Sequence, residues 1–229
     1  MAYRIPYNEN REDYIIKNII QQRKIQNLIH FTKIKNLESI LTNGFLSRQY
    51  LESNKIKSEF NDTERWDNKP TATCFSIEFP NTFLLNKFKE IYKDAKWVII
   101  LLDINLLNNS NKKCFCNRNA GGATAWVNCT NSQSSESFES MFDEKIYSKS
   151  PTRSEQLYIK DYLPTDVQAE ILIEGNIQPE FIKNLIFETQ DDLDFCKDCF
   201  DNKRLFENYN PIVDERFYNS RENFPWEDR

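Results

Sequence analysis

Four glycines in 229 residues, two of them adjacent at Gly121-Gly122, set the tightest limit on what this chain can become. A phosphate-cradling loop of the Gly-x-Gly-x-x-Gly or Walker type needs glycines at fixed offsets, so that the backbone can turn sharply and approach a pyrophosphate with no Cβ in the way. No such spacing can be assembled here. That argues against Rossmann and P-loop architectures, and a nucleotide bound by this chain must be held some other way.

What remains is a succession of short strands and short helices. Residues 12–26 carry Tyr14, Ile15, Ile19, Ile20 and Ile25 at close to helical spacing, with Lys17, Gln21, Gln22 and Arg23 on the polar face, and predict an amphipathic helix. Residues 28–31 read as a strand. Asn36 is placed to N-cap a helix that turns Leu37, Ile40 and Leu41 inward and that Gly44 closes in a left-handed cap. Strands are further expected at 73–77, at 97–102 as a central buried strand, at the apolar run after Glu170, and at 185–188. Helices are expected at 81–92 and, with Pro179 near the first position, from 179 onward. The stretch 128–137 has the Ser/Asn-rich composition of a surface loop, and the tail from Asn208 packs across the domain. With 39% hydrophobic and 14% aromatic residues there is material for a substantial core, and the alternation is that of an α+β protein.

The formal charge of −5 and pI near 5.2 argue against a general electrostatic grip on duplex nucleic acid. A local basic groove is still possible, because cations gather early, at Arg23, Lys24, Lys33, Lys35, Arg48, Lys55 and Lys57, while the acidic excess lies between Glu188 and Asp201 and in the tail. The plainer meaning of such a gradient is a solvated surface. No stretch approaches the ~20 apolar residues of a membrane span and the first residues lack a secretory layout, so the expectation is a cytoplasmic protein with its six cysteines reduced. Cys114-Phe115-Cys116 and Cys196-Lys197-Asp198-Cys199 can be set together as four zinc thiolates, but Cys-x-Cys is a poor knuckle, and buried free thiols are the competing reading; no metal ligand is assigned.

Three places carry candidate chemistry. Glu170 opens an apolar run between Ala169 and Ile171; either it points outward from an edge strand, or it is buried at a cost that only a functional site or a partner offsets. His30, the sole histidine, stands at a strand end beside Thr32, either satisfied structurally or presenting two hydrogen-bonding groups to one opening. Arg65, in Glu64-Arg65-Trp66-Asp67, is suited to diphosphate oxygens or to an ordinary salt bridge with its neighbours.

Taken in order, the segment 28–47, Arg65-Trp66-Asp67, Cys74-Phe75-Ser76-Ile77-Glu78-Phe79-Pro80-Asn81, Cys114-Phe115-Cys116-Asn117-Arg118-Asn119-Ala120 and Thr165-Asp166-Val167-Gln168-Ala169-Glu170-Ile171-Leu172-Ile173 resemble the DarT family of DNA ADP-ribosyltransferase toxins. The resemblance implies an ADP-ribosyltransferase-like split, mixed or mostly antiparallel sheet with peripheral helices, as a single domain over 1–229: an N-terminal helix in 1–27, a core in 28–188, and a C-terminal helix and tail in 189–229. It implies NAD as co-substrate, with Glu170 and Arg65 catalytic and His30, Thr32, Ser76 and Gly44 around the cofactor. Tyr162, Gln168 and Arg153 would lie toward the substrate, Tyr162 either stacking on a base or anchoring its loop. Single-stranded DNA and a macrodomain antitoxin of the DarG type are the implied partners, with no membrane. The Ser-Ile, Pro-Asn and cysteine blocks resemble the guanine-modifying branch. Two alternatives stay open: the same fold acting on RNA or protein, where Gln168 replaces the second carboxylate common in arginine-modifying enzymes, and a non-enzymatic, zinc-supported binding module.

Overall fold

Everything in the architecture is measured from strand β1 (Asn27–Lys33), in which Leu28, Ile29 and Phe31 supply the β-branched and aromatic side chains a pleated, two-sided strand prefers. The computed structural model describes residues 10–61, 68–108, 112–121 and 133–227. One seven-stranded sheet runs through it in the order β4-β5-β2-β1-β3-β6-β7, with β2 at Ala72–Ile77, β3 at Trp97–Asp103, β4 at Lys113–Cys116, β5 at Glu170–Glu174, β6 at Ile182–Phe187 and β7 at Pro211–Val213. Among the described strands, only β6 and β7 pair in parallel.

The pairing is uneven. β1 and β3 stay in register along their whole length, from Asn27↔Asp103 to Lys33↔Trp97. β1 and β2 are in register only at Leu28↔Ile77 and Ile29↔Ser76, after which they splay. The sheet is therefore split into a β1-β3-β6-β7 half and a β2-β5-β4 half. The join is fastened at its closed end by Glu78, buried and at φ 60°, whose carboxylate accepts the amide hydrogens of Gln26 and Asn27 and the Asn27 side-chain amide at 3.1 Å.

Apolar side chains alternate between the faces. Leu28, Val98, Ile100, Phe75, Ile77, Ile171 and Ile173 look toward one core, which the helix α1 (Arg11–Arg23) covers with Ile16, Ile19 and Ile20. Ile29, Ile99, Trp97 and Ile186 look to the other, closed by Leu85 and Phe88 of α4 (Thr82–Ile91), which follows the short helices α2 (Leu37–Asn43) and α3 (Arg48–Ser53) in the chain. Asn10 caps α1, its side chain accepting from Glu12 N at 3.2 Å, and Asn81 caps α4 through Leu84 N at 3.0 Å. Among the described residues, no helix is long and apolar enough to cross a membrane.

Four expectations need correction. Asn36 precedes α2 (Leu37–Asn43), but its side chain does not cap the helix, because the amide is spent elsewhere, as described below. Gly44 follows α2 at φ 77°, ψ −170°, an extended geometry open to glycine, instead of a left-handed cap. Pro179–Phe181 makes a single 3₁₀ turn, since the chain passes at once into β6. Cys116 is disulfide-bonded, whereas Cys74, Cys114, Cys196 and Cys199 are not. Cys114 lies on β4 at one edge of the sheet and Cys196 on the helix Gln190–Cys199, which packs on β6 and β7 at the other, so the two cysteine pairs do not converge.

A candidate active site where the sheet splits

Where β1 and β2 part, a cavity of about 420 Å³ opens between them. Ile29, His30, Phe31 and Thr32 line it from β1, Ala72 to Ser76 from β2, and Glu170 from the first position of β5. Pockets of this volume and mixed lining are the usual form of small-molecule sites.

His30 occupies the gap left by the missing ladder bonds. Its Nδ1 lies 2.9 Å from the carbonyl oxygen of Cys74, and its ring meets Phe45 edge-on at 5.0 Å and Phe75 at 5.7 Å. Burial pushes its pKa down from 6.5 to about 4, against a smaller upward pull from the Cys74 carbonyl. The ring is therefore neutral at pH 7. Because a carbonyl can only accept, Nδ1 carries the proton and Nε2 is left as an acceptor.

Glu170 is 7% exposed, and its Oε2 accepts the amide hydrogen of Ala120 at 3.1 Å. Its position is set by the loop that precedes it. There Arg153 donates to the carbonyls of Leu163 (2.8 Å) and Lys160 (2.6 Å) and to Thr165 Oγ1 (3.3 Å). Arg221, 5% exposed, donates to the carbonyls of Pro164 (2.8 Å) and Thr165 (2.7 Å) and to Gln156 Oε1 (3.0 Å). Two guanidiniums thus hold the run of chain from which Glu170 projects. Neither role has a signature in the sequence, because backbone carbonyls brought together by a loop carry no pattern.

Across the opening, Asn36 ties down a segment that sequence reasoning left unstructured. Its Nδ2 donates to the Glu59 carbonyl (2.8 Å) and to Thr32 Oγ1 (3.0 Å), and its Oδ1 accepts from Glu59 N (2.8 Å), so the side chain satisfies Glu59 as a neighbouring strand would. Asn61 Nδ2 reaches the Phe31 carbonyl at 3.3 Å. Lys35, Arg48 and Lys57 line the cavity near this segment; Lys35 pairs with Glu59 at 3.0 Å and Arg48 with Glu52 at 2.7 Å. Lys33 also meets Glu59, at 3.5 Å, and lies over the Tyr92 ring at 3.9 Å, but it does not line the cavity.

Asn81 adds an unspent group. The residue is 1% exposed and lines the cavity; its Oδ1 caps α4, but its Nδ2 has no acceptor. An orphaned buried donor costs about 1–3 kcal/mol, which a ligand oxygen would recover.

Of the residues singled out in the sequence, His30, Thr32, Gly44, Ser76 and Glu170 share this cavity. Gln168 lines a neighbouring one. Tyr162 is buried, donates to the Glu227 carbonyl at 2.7 Å and packs edge-on against Trp226 at 6.0 Å, and with Arg153 it lines neither. Arg65 lies outside the described residues. Asn36, Glu59 and Arg221 were not foreseen.

A family profile described as "ssDNA thymidine ADP-ribosyltransferase, DarT" matches residues 29–218. No curated protein sequence matches. Among solved structures, DarTG of Thermosipho africanus in complex with ADP-ribose superposes with a TM-score of 0.52 at 17% identity, over 84% of this chain and 51% of that one, so the chain spans about half of that protein. DarT of Thermus sp. 2.9 superposes with a TM-score of 0.53 in its complex with ADP-ribosylated single-stranded DNA (11% identity, 86% of this chain, 97% of that one). Its complex with carba-NAD+ gives 0.51 (11% identity, 84% and 97%). At these identities the likeness is one of fold.

Proposed function

The chain belongs to the DarT family of single-stranded-DNA thymidine ADP-ribosyltransferases, and from that membership and the geometry of the split sheet we propose that it transfers ADP-ribose from NAD to a base in single-stranded DNA. The observation that carries the reading is the convergence, in one cavity, of the Glu170 carboxylate, neutral His30 and the orphaned Asn81 amide. The relatives solved with carba-NAD+, ADP-ribose and ADP-ribosylated DNA support the same substrates.

The residues fit such a dinucleotide. NAD supplies an ADP-ribosyl group whose bond to nicotinamide breaks through an oxocarbenium-like state. Glu170 faces the developing positive charge and accepts from the ribose hydroxyls, and a fixed carboxylate there acts where water no longer screens it. It also stands ready to take the proton from the attacking base nitrogen. His30 Nε2 accepts a hydrogen bond, Thr32 and Ser76 offer hydroxyls on the two diverging strands, and Asn81 Nδ2 donates to a ligand oxygen. Arg65 is assigned to the diphosphate or the target base by the family motif alone. Gln168 and the loop before Glu170 face the acceptor.

We assign guanine as the acceptor base, because the Ser76-Ile77, Pro80-Asn81 and Cys114–Cys116 blocks resemble the guanine-modifying branch, although the family profile is named for thymidine. A macrodomain antitoxin of DarG type is the partner this reading implies, in keeping with the DarTG relative. The test is NAD-dependent labelling of short single-stranded oligonucleotides, each containing one reactive base type. Label on guanine is expected, and label on thymine would move the assignment to the other branch. Glu170→Ala should lower the rate by about 10²–10³. Unchanged transfer by that variant, or label on protein or RNA alone, overturns the proposal.

A further inference from the structure

Lys69 and Cys114 meet beside the β2-β5-β4 half of the sheet, and neither lines the candidate active site. The Lys69 Nζ donates to the Cys114 Sγ at 2.9 Å, although the two residues are 45 positions apart. The Glu174 Oε1 stands 3.6 Å from the same nitrogen. The ladder brings the three together. Cys114 on β4 is in register with Leu172 on β5, Glu174 at the end of β5 is in register with Ala72 on β2, and the Lys69 carbonyl accepts the Ala72 amide hydrogen at 3.0 Å at the turn into β2. Cys114 is 2% exposed, and Lys69 and Glu174 are half-buried.

The transfer chemistry uses none of these groups. A nitrogen and a sulfur 2.9 Å apart are too distant to be bonded directly, but a single oxygen atom between them spans nearly that gap. Oxidation already marks this strand, because Cys116, two residues along β4, is disulfide-bonded. Cys196 makes the contrast: burial pushes its thiol up to about 12, which keeps it protonated and unreactive.

We propose that Lys69 and Cys114 form an oxidant-made covalent cross-link in which one oxygen bridges the lysine nitrogen and the cysteine sulfur, and that the oxidant is a peroxide. The Cys114 sulfur attacks one peroxide oxygen, the O–O bond breaks, and water leaves with the cysteine as a sulfenic acid. Glu174 takes the ammonium proton, so Lys69 presents a neutral amine. The sulfenic oxygen then bonds to that nitrogen. The two hydrogens and two electrons lost in this step, one hydrogen from each partner, reduce a second peroxide to two waters. Four electrons and four protons from a thiol reductant return the amine, the thiol and one water. The link ties the entry to β2 to the four-residue edge strand β4, which among the described strands pairs with β5 alone, and so fastens the half of the sheet that carries Glu170.

The test treats the full chain with hydrogen peroxide and reads peptide masses and Tm. Wild-type protein should yield a joined pair of peptides containing Lys69 and Cys114, heavier than their sum by one oxygen and lighter by two hydrogens, and dithiothreitol should separate them. Cys114→Ser and Lys69→Arg should each abolish the pair; Lys69→Arg keeps the positive charge at a half-buried position, so the test stands even if the buried Cys114→Ser variant folds poorly. Closing a loop of this length should raise Tm by about 5 °C or more, reversibly with dithiothreitol. Cys114 recovered unmodified, as a sulfinic acid or in a disulfide, at peroxide levels that oxidise the exposed Cys199, overturns the cross-link. A cross-link that leaves Tm unchanged overturns its fastening role. None of these readouts depends on NAD or DNA, so each outcome is independent of the proposed function.

Discussion

At the scale of single residues, the site depends on groups held in states they would not choose in water. His30 is neutral because burial outweighs its one hydrogen bond. In the unfolded chain it titrates near 6.5 and in the folded one near 4, so its contribution to stability is fully present above pH 6.5 and is lost as the pH falls toward 4. Chemical denaturation of the wild type at pH 7.5, 5.5 and 4.5 should therefore show a progressive loss, up to about 3 kcal/mol from this group. His30→Gln should remove that part of the pH dependence. Gly44 stores a different constraint. A Cβ there would stand 1.9 Å from the Ile177 carbonyl oxygen, in a backbone bridge that Phe45 and Ile177 close at 2.8 and 2.9 Å, and φ is 77°. Gly44→Ala should cost about 3 kcal/mol or more in a urea melt, since neither the turn nor the bridge can relax independently.

At the scale of elements, the cavity exists because β1 and β2 pair at two positions and then diverge, and because the segments on either side of the gap are tied down by side chains doing the work of missing strands. Asn36 is the clearest case. Removing its amide leaves Glu59 N–H and C=O without those partners and takes a donor from Thr32 Oγ1, a loss of about 1–3 kcal/mol felt chiefly at residues 58–61. Asn36→Ala should accordingly raise the KM for NAD several-fold with little change in kcat, and speed amide hydrogen exchange at Glu59. If kcat falls and KM stays put, Asn36 acts on the chemistry and not on the rim. Arg153 and Arg221 play the corresponding part for the loop before Glu170.

For the molecule as a whole, the acidic balance and the proposed acceptor are compatible because only a few cations meet the cavity. Lys35, Arg48, Lys57 and Lys87 line it, and each phosphate neutralised on a single strand contributes a slope of about −0.7 to the salt dependence of binding, so four predict about −3. Oligonucleotide titrations between 50 and 200 mM salt measure this; a slope steeper than about −4 would mean a basic surface that extends well beyond the cavity. The aromatic tail closes the other side of the structure. Phe217, Phe224 and Trp226 gather on Phe79, and Tyr162 reaches the Glu227 carbonyl, so the last described residues brace both the turn after β2 and the loop before Glu170.

Much of this was legible in the order of residues. Short apolar runs mark β1, β2, β3 and β5, helical spacing marks α1, the segment after Pro80 marks α4, the scarcity of glycine argues against a phosphate loop, and the ordered motifs around His30, Ser76 and Glu170 point to the family, because local pattern and local chemistry are written in neighbouring positions. Other features were decided only when the chain closed on itself. The splaying of β1 from β2, the tautomer of His30, the loss of Asn36 as a helix cap to Glu59, the reduction of the Pro179 helix to one turn before β6, and the two arginines that set the Glu170 loop all depend on partners distant in the sequence. A side chain takes whichever hydrogen bond the assembled backbone offers, and no local pattern encodes that choice.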